Sequence, residues 1–236
     1  MRSLFKRKQT KQAMARKLIV RESPKSIYAE QYRAIRTSIN FSMPDKDIKT
    51  IVVTSPKSGE GKSTISANLA GVFSQEGKNI LLVDADMRKP TVHYTFNLMN
   101  SYGLSEVLSG QYELRDAIQD TYIEGLYVLP SGSIPPNPAE LLNSKRMNQL
   151  LFELKAQFDF IFFDTPPILS VTDSQILANK CDATILVINS RQTPKELASK
   201  SKSILQHSKS NIIGVILNNY ILKKNDDYYS LHGYIE

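Results

Sequence analysis

The chain of 236 residues is 41% hydrophobic and 22% charged, which suffices for one α/β domain and excludes a disordered or collagen-like chain. The single cysteine, Cys181, cannot form an intrachain disulfide, so we expect a small core residue in a reducing compartment. The three histidines are far apart and provide no zinc-binding spacing. No window approaches the roughly 18 to 20 apolar residues that cross a bilayer.

The net charge of +7 is concentrated at the beginning of the chain. Residues 1–21 include eight Lys or Arg and no acid, whereas the remaining residues include 22 basic and 23 acidic side chains. We assign residues 1–22 to a basic leader. Such a segment could attract anionic lipid, nucleic acid or an acidic partner, or it is simply a solvated terminus. For the protein as a whole, no nucleic-acid partner is predicted.

Strands and helices alternate along the rest of the chain. The predicted strands span 49–54, 79–84, 126–130, 158–164, 183–189 and 211–218, and the predicted helices span 26–40, 62–75, 103–109, 114–119, 140–155, 170–179 and 194–207. Because each strand is apolar throughout, we expect an α/β fold with a mainly parallel sheet covered by helices on both faces. The domain is predicted to span 23–219, followed by a polar, flexible tail over 220–236.

A phosphate-binding loop is predicted between the first strand and the helix that follows it. The loop comprises Ser58, Gly59, Glu60, Gly61, Lys62, Ser63 and Thr64. Its glycines let backbone N–H groups turn toward a phosphate, Lys62 can reach the β- and γ-phosphates, and the Ser63 hydroxyl can bind Mg²⁺. Pro56 stands where the usual pattern has its first glycine, so only the second half of the pattern is present.

Three acidic residues follow the ends of predicted strands. Asp84 and Asp86 end the second strand, and Asp164 ends the fourth. The carboxyl ends of parallel strands share one edge of a sheet, so we expect these carboxylates to converge beside the phosphate loop. A bound Mg²⁺, held by Ser63, Asp86, Asp164 and the phosphates, would offset their mutual repulsion. No guanine-reading motif is present, which favours ATP as the nucleotide.

The end of the chain is rich in tyrosine. Four of the eleven tyrosines lie in the last 17 residues, and Tyr228, Tyr229 and Tyr234 are our candidate phosphoacceptors, although a polar tail could also simply tolerate tyrosine. A parallel last strand would start this tail at the same sheet edge as the phosphate loop. A tyrosine hydroxyl has a pKa of about 10, so transfer requires a base, and Asp84 is our candidate.

Several motifs occur in a set order along the chain. They are GEGKST at 59–64, LLVDADMRKP at 81–90, SGSIPPNPAELLNS at 131–144, FFDTPP at 162–167 and the tyrosine-rich end. Together they resemble the bacterial tyrosine kinases of the Gram-positive, two-polypeptide type, over nearly all of residues 23–236. Glu30, Arg33 and Arg36 match that family's oligomerisation motif. Without the resemblance, these three would be interpreted as a solvated helix face with its own ion pair.

The resemblance implies a P-loop ATPase fold and a tyrosine kinase activity with ATP and Mg²⁺. Lys62 and Asp84 are our candidate catalytic residues. It also implies autophosphorylation of tail tyrosines by a neighbouring subunit of a ring, with other proteins as further substrates. A separate membrane protein would activate the kinase and hold it at the inner face of the cell membrane. The implied role is in exopolysaccharide or capsule production.

Two alternatives remain open from the sequence. A positional ATPase of the partitioning or division-site type shares this fold, and Lys57 matches the extra lysine of that loop. Such ATPases lack the tyrosine tail and usually bind membranes through a C-terminal amphipathic helix, for which residues 220–236 show no apolar stripe. The second alternative is a nucleotide-binding regulator without phosphoryl transfer.

Overall fold

The computed structural model describes residues 16–42 and 48–221. Its strands are β1 (Thr50–Thr54), β2 (Ile80–Asp84), β3 (Gln119–Asp120), β4 (Leu126–Leu129), β5 (Phe160–Asp164), β6 (Ala183–Asn189) and β7 (Ile212–Asn218). The helices are α1 (Ile19–Glu22), α2 (Ile27–Phe41), α3 (Lys62–Ser74), α4 (Val92–Phe96), α5 (Leu104–Leu108), α6 (Leu114–Ala117), α7 (Pro138–Asn143), α8 (Lys145–Gln157), α9 (Asp173–Lys180) and α10 (Lys195–His207).

These strands form one sheet in the order β3-β4-β2-β5-β1-β6-β7. The neighbouring strands are parallel, except that β3 pairs antiparallel with β4. The prediction of a mainly parallel α/β sheet is confirmed. In the register of β2 and β5, Asp84 lies opposite Asp164, so these two carboxylates come from adjacent strand ends.

Apolar side chains cover both faces of the sheet. Val53 and Phe162 belong to the core cluster beneath α3, whereas Val52 and Phe163 belong to the cluster on the opposite face. Successive residues of a strand point to opposite faces, so a strand that is apolar at every position supplies two cores at once. Cys181 is buried in the second cluster, as expected from the sequence.

Several predicted boundaries are wrong where the chain turns. The helix predicted over 140–155 is two helices, because Ser144 is extended and its hydroxyl accepts a 3.2 Å hydrogen bond from the Met147 N–H, which starts α8. The helix predicted over 114–119 ends at Ala117, and the next residues form the two-residue strand β3. A strand of two polar residues has no periodicity that a sequence pattern can reveal.

The end of the basic leader packs on the domain. Leu18 and Val20 are buried in the core beneath the sheet, and the Val20 N–H donates a 3.2 Å hydrogen bond to Asn68 on α3. Residues 16–22, which the sequence analysis placed in the leader, therefore contact the helix that follows the phosphate loop. Across the ranges 16–42 and 48–221, no helix combines the length and apolar character needed to cross a membrane.

Candidate active site

The phosphate loop connects β1 to α3 at the carboxyl edge of the sheet. Gly59 and Gly61 have φ values of 84° and 90°, a left-handed conformation that glycine adopts without a steric cost. Gly61 caps α3, so the N-terminal N–H groups of a 13-residue helix face the pocket at this edge. This arrangement is suited to binding phosphate, because the helix terminus offers backbone donors and partial positive charge.

The Lys62 side chain lies between the phosphate loop and the predicted carboxylates. Its Nζ is 3.2 Å from Asp86 Oδ2 and 3.7 Å from Asp164 Oδ1. Burial opposes the charge of the ammonium group, but the nearby Asp164 and Asp86 carboxylates outweigh this and raise the Lys62 pKa. The lysine is therefore protonated in a largely buried position, where its positive charge can bind a further anion such as phosphate.

Asp84 has a different environment from the other two acids. Its Oδ2 accepts hydrogen bonds of 2.9 Å from the N–H groups of both Thr91 and Val92, and Oδ1 accepts one of 3.3 Å from the Asp86 N–H. The side chain is completely buried, and this burial, together with the Asp164 charge, raises the Asp84 pKa to about 8. Asp84 thus anchors the segment that follows β2, beneath the surface of the pocket.

Asp164 is buried and incompletely paired. Burial raises its pKa, while Lys62 and a hydrogen bond from Ser63 oppose the rise. Its Oδ2 atom is buried without a hydrogen-bond donor among the described residues. A buried carboxylate oxygen without a donor costs free energy unless a cation or another donor is supplied.

One pocket of about 1010 Å³ unites most of the predicted residues. Its lining includes Ser58, Gly59, Gly61, Lys62, Ser63, Thr64 and Asp86. Glu60 faces away from this lining, and its buried carboxylate instead accepts hydrogen bonds from the N–H groups of Lys57, at 2.9 Å, and Asn189, at 3.1 Å. Ile134 of the proline-rich loop also lines the pocket, so that loop lies at the site.

The donor set around Lys62 suits Mg²⁺ held partly by phosphate. Within the described parts of the chain, no three His, Cys, Asp or Glu side chains are placed to hold a metal ion by themselves. Ser63 and Asp86 line the pocket, and Asp164 has the carboxylate oxygen that lacks a donor among the same residues. Mg²⁺ prefers oxygen ligands and retains several waters, so one or two carboxylates, a hydroxyl and phosphate oxygens are sufficient.

The predicted oligomerisation residues make contacts within the chain. Arg33 Nη1 is 2.8 Å from Glu30 Oε2, which is the internal ion pair that the sequence analysis considered as an alternative. Arg36 donates a 2.6 Å hydrogen bond to the Val72 carbonyl and forms a 3.0 Å ion pair with Glu76. Arg36 therefore connects α2 to the C-terminal end of α3.

The candidate phosphoacceptors Tyr228, Tyr229 and Tyr234 lie outside the described residues. The strand that precedes them ends at the phosphate loop, since Asn218 Nδ2 donates a 2.9 Å hydrogen bond to the Glu60 carbonyl. The sequence analysis missed this contact, as well as the bidentate pair between Arg88 and Asp173. Neither pair leaves a local pattern, because the partners are 158 and 85 residues apart.

Known proteins are similar to this chain in sequence and in fold. A family model described as AAA domain matches residues 48–212. The tyrosine-protein kinase YwqD of Bacillus subtilis is 50% identical over 222 residues, which cover 94% of each chain. The chain belongs to the bacterial tyrosine-protein kinases. The resemblance inferred from the motifs is confirmed.

The solved structures show the same fold for this tyrosine kinase. The kinase domain of the Escherichia coli tyrosine kinase ETK superposes with a TM-score of 0.85 at 33% identity, covering 89% of this chain and 82% of that one. The septum site-determining protein MinD from Pyrococcus horikoshii, solved with Mg-ADP, has a TM-score of 0.63 at 27% identity and covers 76% and 73%. The P-loop fold is confirmed, and the positional ATPase alternative has less support than the kinase.

Proposed function

We propose that this tyrosine kinase transfers the γ-phosphoryl group of ATP to Tyr228, Tyr229 and Tyr234 of a neighbouring copy. The observation that supports this best is the placement of Lys62, within 4 Å of two carboxylates and at the N-terminus of α3, in the pocket at whose edge the last strand ends. An entering triphosphate would meet backbone donors and a protonated lysine.

In the proposed reaction, a tyrosine oxygen bonds to the γ-phosphorus as the bond from that phosphorus to ADP breaks. The tyrosine proton passes to a carboxylate, for which we propose Asp84. Its pKa of about 8 makes the deprotonated form of Asp84 a stronger base than an ordinary aspartate, and a cation bound nearby would favour that deprotonated form. Because two backbone N–H groups now bind Asp84 Oδ2, this role requires the segment at Thr91 to move when substrates bind.

ATP and Mg²⁺ are the proposed cofactors. Residues 58–64 would hold the phosphates, with Lys62 near the γ-phosphate. Ser63, Asp86 and Asp164 would ligate Mg²⁺, and this ion would stabilise the negative charge that develops on the phosphoryl oxygens. The chain's own contribution is to bring the side-chain oxygens of Ser63, Asp86 and Asp164 to one end of the pocket and to keep Lys62 protonated.

We further propose an assembly and a cellular setting. The α2 face of Glu30 and Arg33 is exposed enough to contact a neighbouring copy, and a contact of this kind that closes on itself produces a ring. A membrane-embedded activator would hold the kinase at the inner face of the cell membrane. Capsule or exopolysaccharide synthesis is the proposed process, supported by a Klebsiella pneumoniae relative, 38% identical, named for its cps region.

The experiment that tests the proposal is incubation of the purified full chain with Mg·ATP, followed by mapping of phosphate by mass spectrometry. We expect phosphotyrosine at 228, 229 or 234, lost in Lys62→Met. Mixing a Lys62→Met chain with an active chain whose three tail tyrosines are Phe should restore tail phosphorylation in trans. Release of inorganic phosphate from a chain whose tail stays unmodified would instead indicate a switch ATPase.

Comparison of Asp84→Asn with Asp86→Asn tests the proposed roles. If Asp84 is the base and Asp86 a magnesium ligand, Asp84→Asn retains Mg·ATP binding and loses transfer. Asp86→Asn should weaken Mg·ATP binding more than binding of ATP without metal. Equal losses of Mg·ATP binding in both variants would assign Asp84 to metal or loop positioning rather than to proton transfer.

A further inference from the structure

The pocket has a cationic rim beyond the phosphate loop. Among the described residues of its lining, the Lys and Arg side chains are Arg16, Lys62, Arg88 and Lys89, whereas the only acidic side chain is Asp86. Lys62 lies among the carboxylates and belongs to the phosphate end. The other three cations come from segments outside the phosphate loop, and we call them the rim.

Arg88 is held in place by a buried partner. Its Nε and Nη2 donate hydrogen bonds of 2.9 Å and 3.0 Å to the two carboxylate oxygens of Asp173. Asp173 is completely buried, whereas Arg88 remains 41% exposed. A bidentate pair of this kind fixes the plane of the guanidinium group, so Arg88 presents its remaining N–H donors to the pocket in a defined position while Asp173 offsets much of its charge.

Arg16 and Lys89 complete the rim from two sides. The Arg16 N–H donates a 3.0 Å hydrogen bond to Thr95 Oγ1 on α4, which places the end of the leader at the pocket. Arg16 lines the same pocket as Lys62 and Asp86. The Lys89 N–H binds Asp86 Oδ1 at 3.1 Å, and the Lys89 side chain is exposed.

We propose that the rim of Arg16, Arg88 and Lys89 binds acidic side chains next to the acceptor tyrosine, and so sets the peptide specificity of the kinase. This inference rests on the proposed function. The two residues that directly precede Tyr228, Asp226 and Asp227, have the matching charge, whereas Lys223 and Lys224 lie further from the tyrosine. The phosphates already have the loop amides and Lys62, so the rim cations remain for the peptide.

Direct binding provides a test that does not require turnover. Fluorescein-labelled peptides of residues 222–236 would be titrated with the full-length kinase, its tail tyrosines changed to Phe, in the presence of Mg²⁺ and a non-hydrolysable ATP analogue. Two exposed ion pairs together contribute about 1 kcal/mol, so we expect Asp226→Asn with Asp227→Asn to weaken binding roughly fivefold. Glu236→Gln removes one negative charge elsewhere in the peptide and should have little effect.

Variants of the enzyme then assign the effect to the rim. Arg16→Gln and Lys89→Gln should each reduce the difference between the acidic and neutral peptides, and that difference should shrink as salt rises. Lys195→Gln, an exposed change at the start of α10 and outside the pocket lining, is the matched control.

Two results would overturn the inference, namely equal affinity for the acidic and neutral peptides, or a rim variant that weakens nucleotide binding while the peptide difference is unchanged. Charge-dependent peptide binding without any phosphate transfer would leave the rim in place and remove the proposed function. Phosphate transfer at a rate that does not depend on Asp226 and Asp227 would retain the proposed function and overturn the inference about the rim. The two proposals therefore fail in distinguishable ways.

Discussion

The side-chain amide of Asn218 donates a 2.9 Å hydrogen bond from Nδ2 to the backbone carbonyl oxygen of Glu60, and this bond connects the last strand to the phosphate loop. The contact leaves no room beside the neighbouring glycine, because a Cβ at Gly61 would lie 2.2 Å from Asn218 Nδ2. Glu60 is also bound through its carboxylate to the Asn189 N–H, at the end of β6. The loop conformation therefore depends on the ends of two strands distant from it in sequence.

Gly61→Ala should weaken ATP binding at least tenfold and lower the melting temperature. The substitution requires a side chain at a φ of 90°, which costs about 1–2 kcal/mol, and it also displaces Asn218. Gly59→Ala is the matched control, because Gly59 has a φ of 84° but a Cβ there would have no atom of the described residues within 4 Å. Isothermal titration calorimetry with ATP would measure both variants.

The two contributions at Gly61 can be separated. Adding Asn218→Ala to Gly61→Ala removes the overlap but not the backbone strain, so the double variant should recover only part of the way to the level of Gly59→Ala, because it also lacks the hydrogen bond from Asn218 to Glu60. No recovery in the double variant would mean that Asn218 adds nothing to the constraint on the loop.

The burial of Asp84 predicts a pH dependence of stability in the absence of nucleotide and metal. Its pKa is about 8 in the folded protein and near 4 in an unfolded chain, so the folded state retains a proton that the unfolded state releases. The contribution of this proton to the free energy of unfolding is fully present below about pH 4 and is lost as pH rises toward 8. The slope should be at most about 1.4 kcal/mol per pH unit.

Thermal unfolding of the protein and of Asp84→Asn at several pH values would measure this effect. The substitution keeps an oxygen for the N–H groups of Thr91 and Val92 but removes the titrating proton, so the variant should depend less on pH between 5 and 8. Saturating Mg·ATP should flatten the same dependence in the unmodified protein if the carboxylates bind the cation. Identical pH dependences of the variant and the unmodified protein would contradict the assignment to Asp84.

The sequence predicted where the candidate site residues lie in the fold, because they stand at the ends of apolar runs. Asp84 and Asp164 end adjacent strands and lie opposite one another in register. The parallel topology predicted that both would lie at one edge of the sheet. The contacts of Arg88 with Asp173 and of Asn218 with Glu60 could not be predicted in this way. Each depends on how distant segments pack, and a polar side chain at the end of a strand has many possible partners.

Arg36 and Arg33 should differ in their effect on stability although they share one motif. Arg36 binds the Val72 carbonyl and Glu76 in a largely buried position, so Arg36→Ala should cost about 1–3 kcal/mol in the free energy of unfolding. Arg33 forms an exposed pair with Glu30, and Arg33→Ala should cost no more than about 1 kcal/mol.

Urea unfolding measures the stability difference, and light scattering measures assembly. If the α2 face is an interface, both arginine variants should give smaller particles, whereas Arg36→Ala alone should also lower the urea midpoint. Equal midpoints for the two variants would show that the connection between α2 and α3 contributes little.

Leu18 provides a test of where the folded domain begins. Its side chain is 2% exposed and packs in the core beneath the sheet, so Leu18→Ala should destabilise the protein by about 2–5 kcal/mol. Lys17, whose side chain is 66% exposed and which lies 4.0 Å from Glu22, is the matched control, and Lys17→Ala should change stability by less than about 1 kcal/mol. Urea unfolding of both variants measures the difference. If Leu18→Ala is as stable as Lys17→Ala, the segment around Leu18 does not contribute to the folded domain and belongs to the leader. If Leu18→Ala loses stability as expected, the folded domain begins before residue 19.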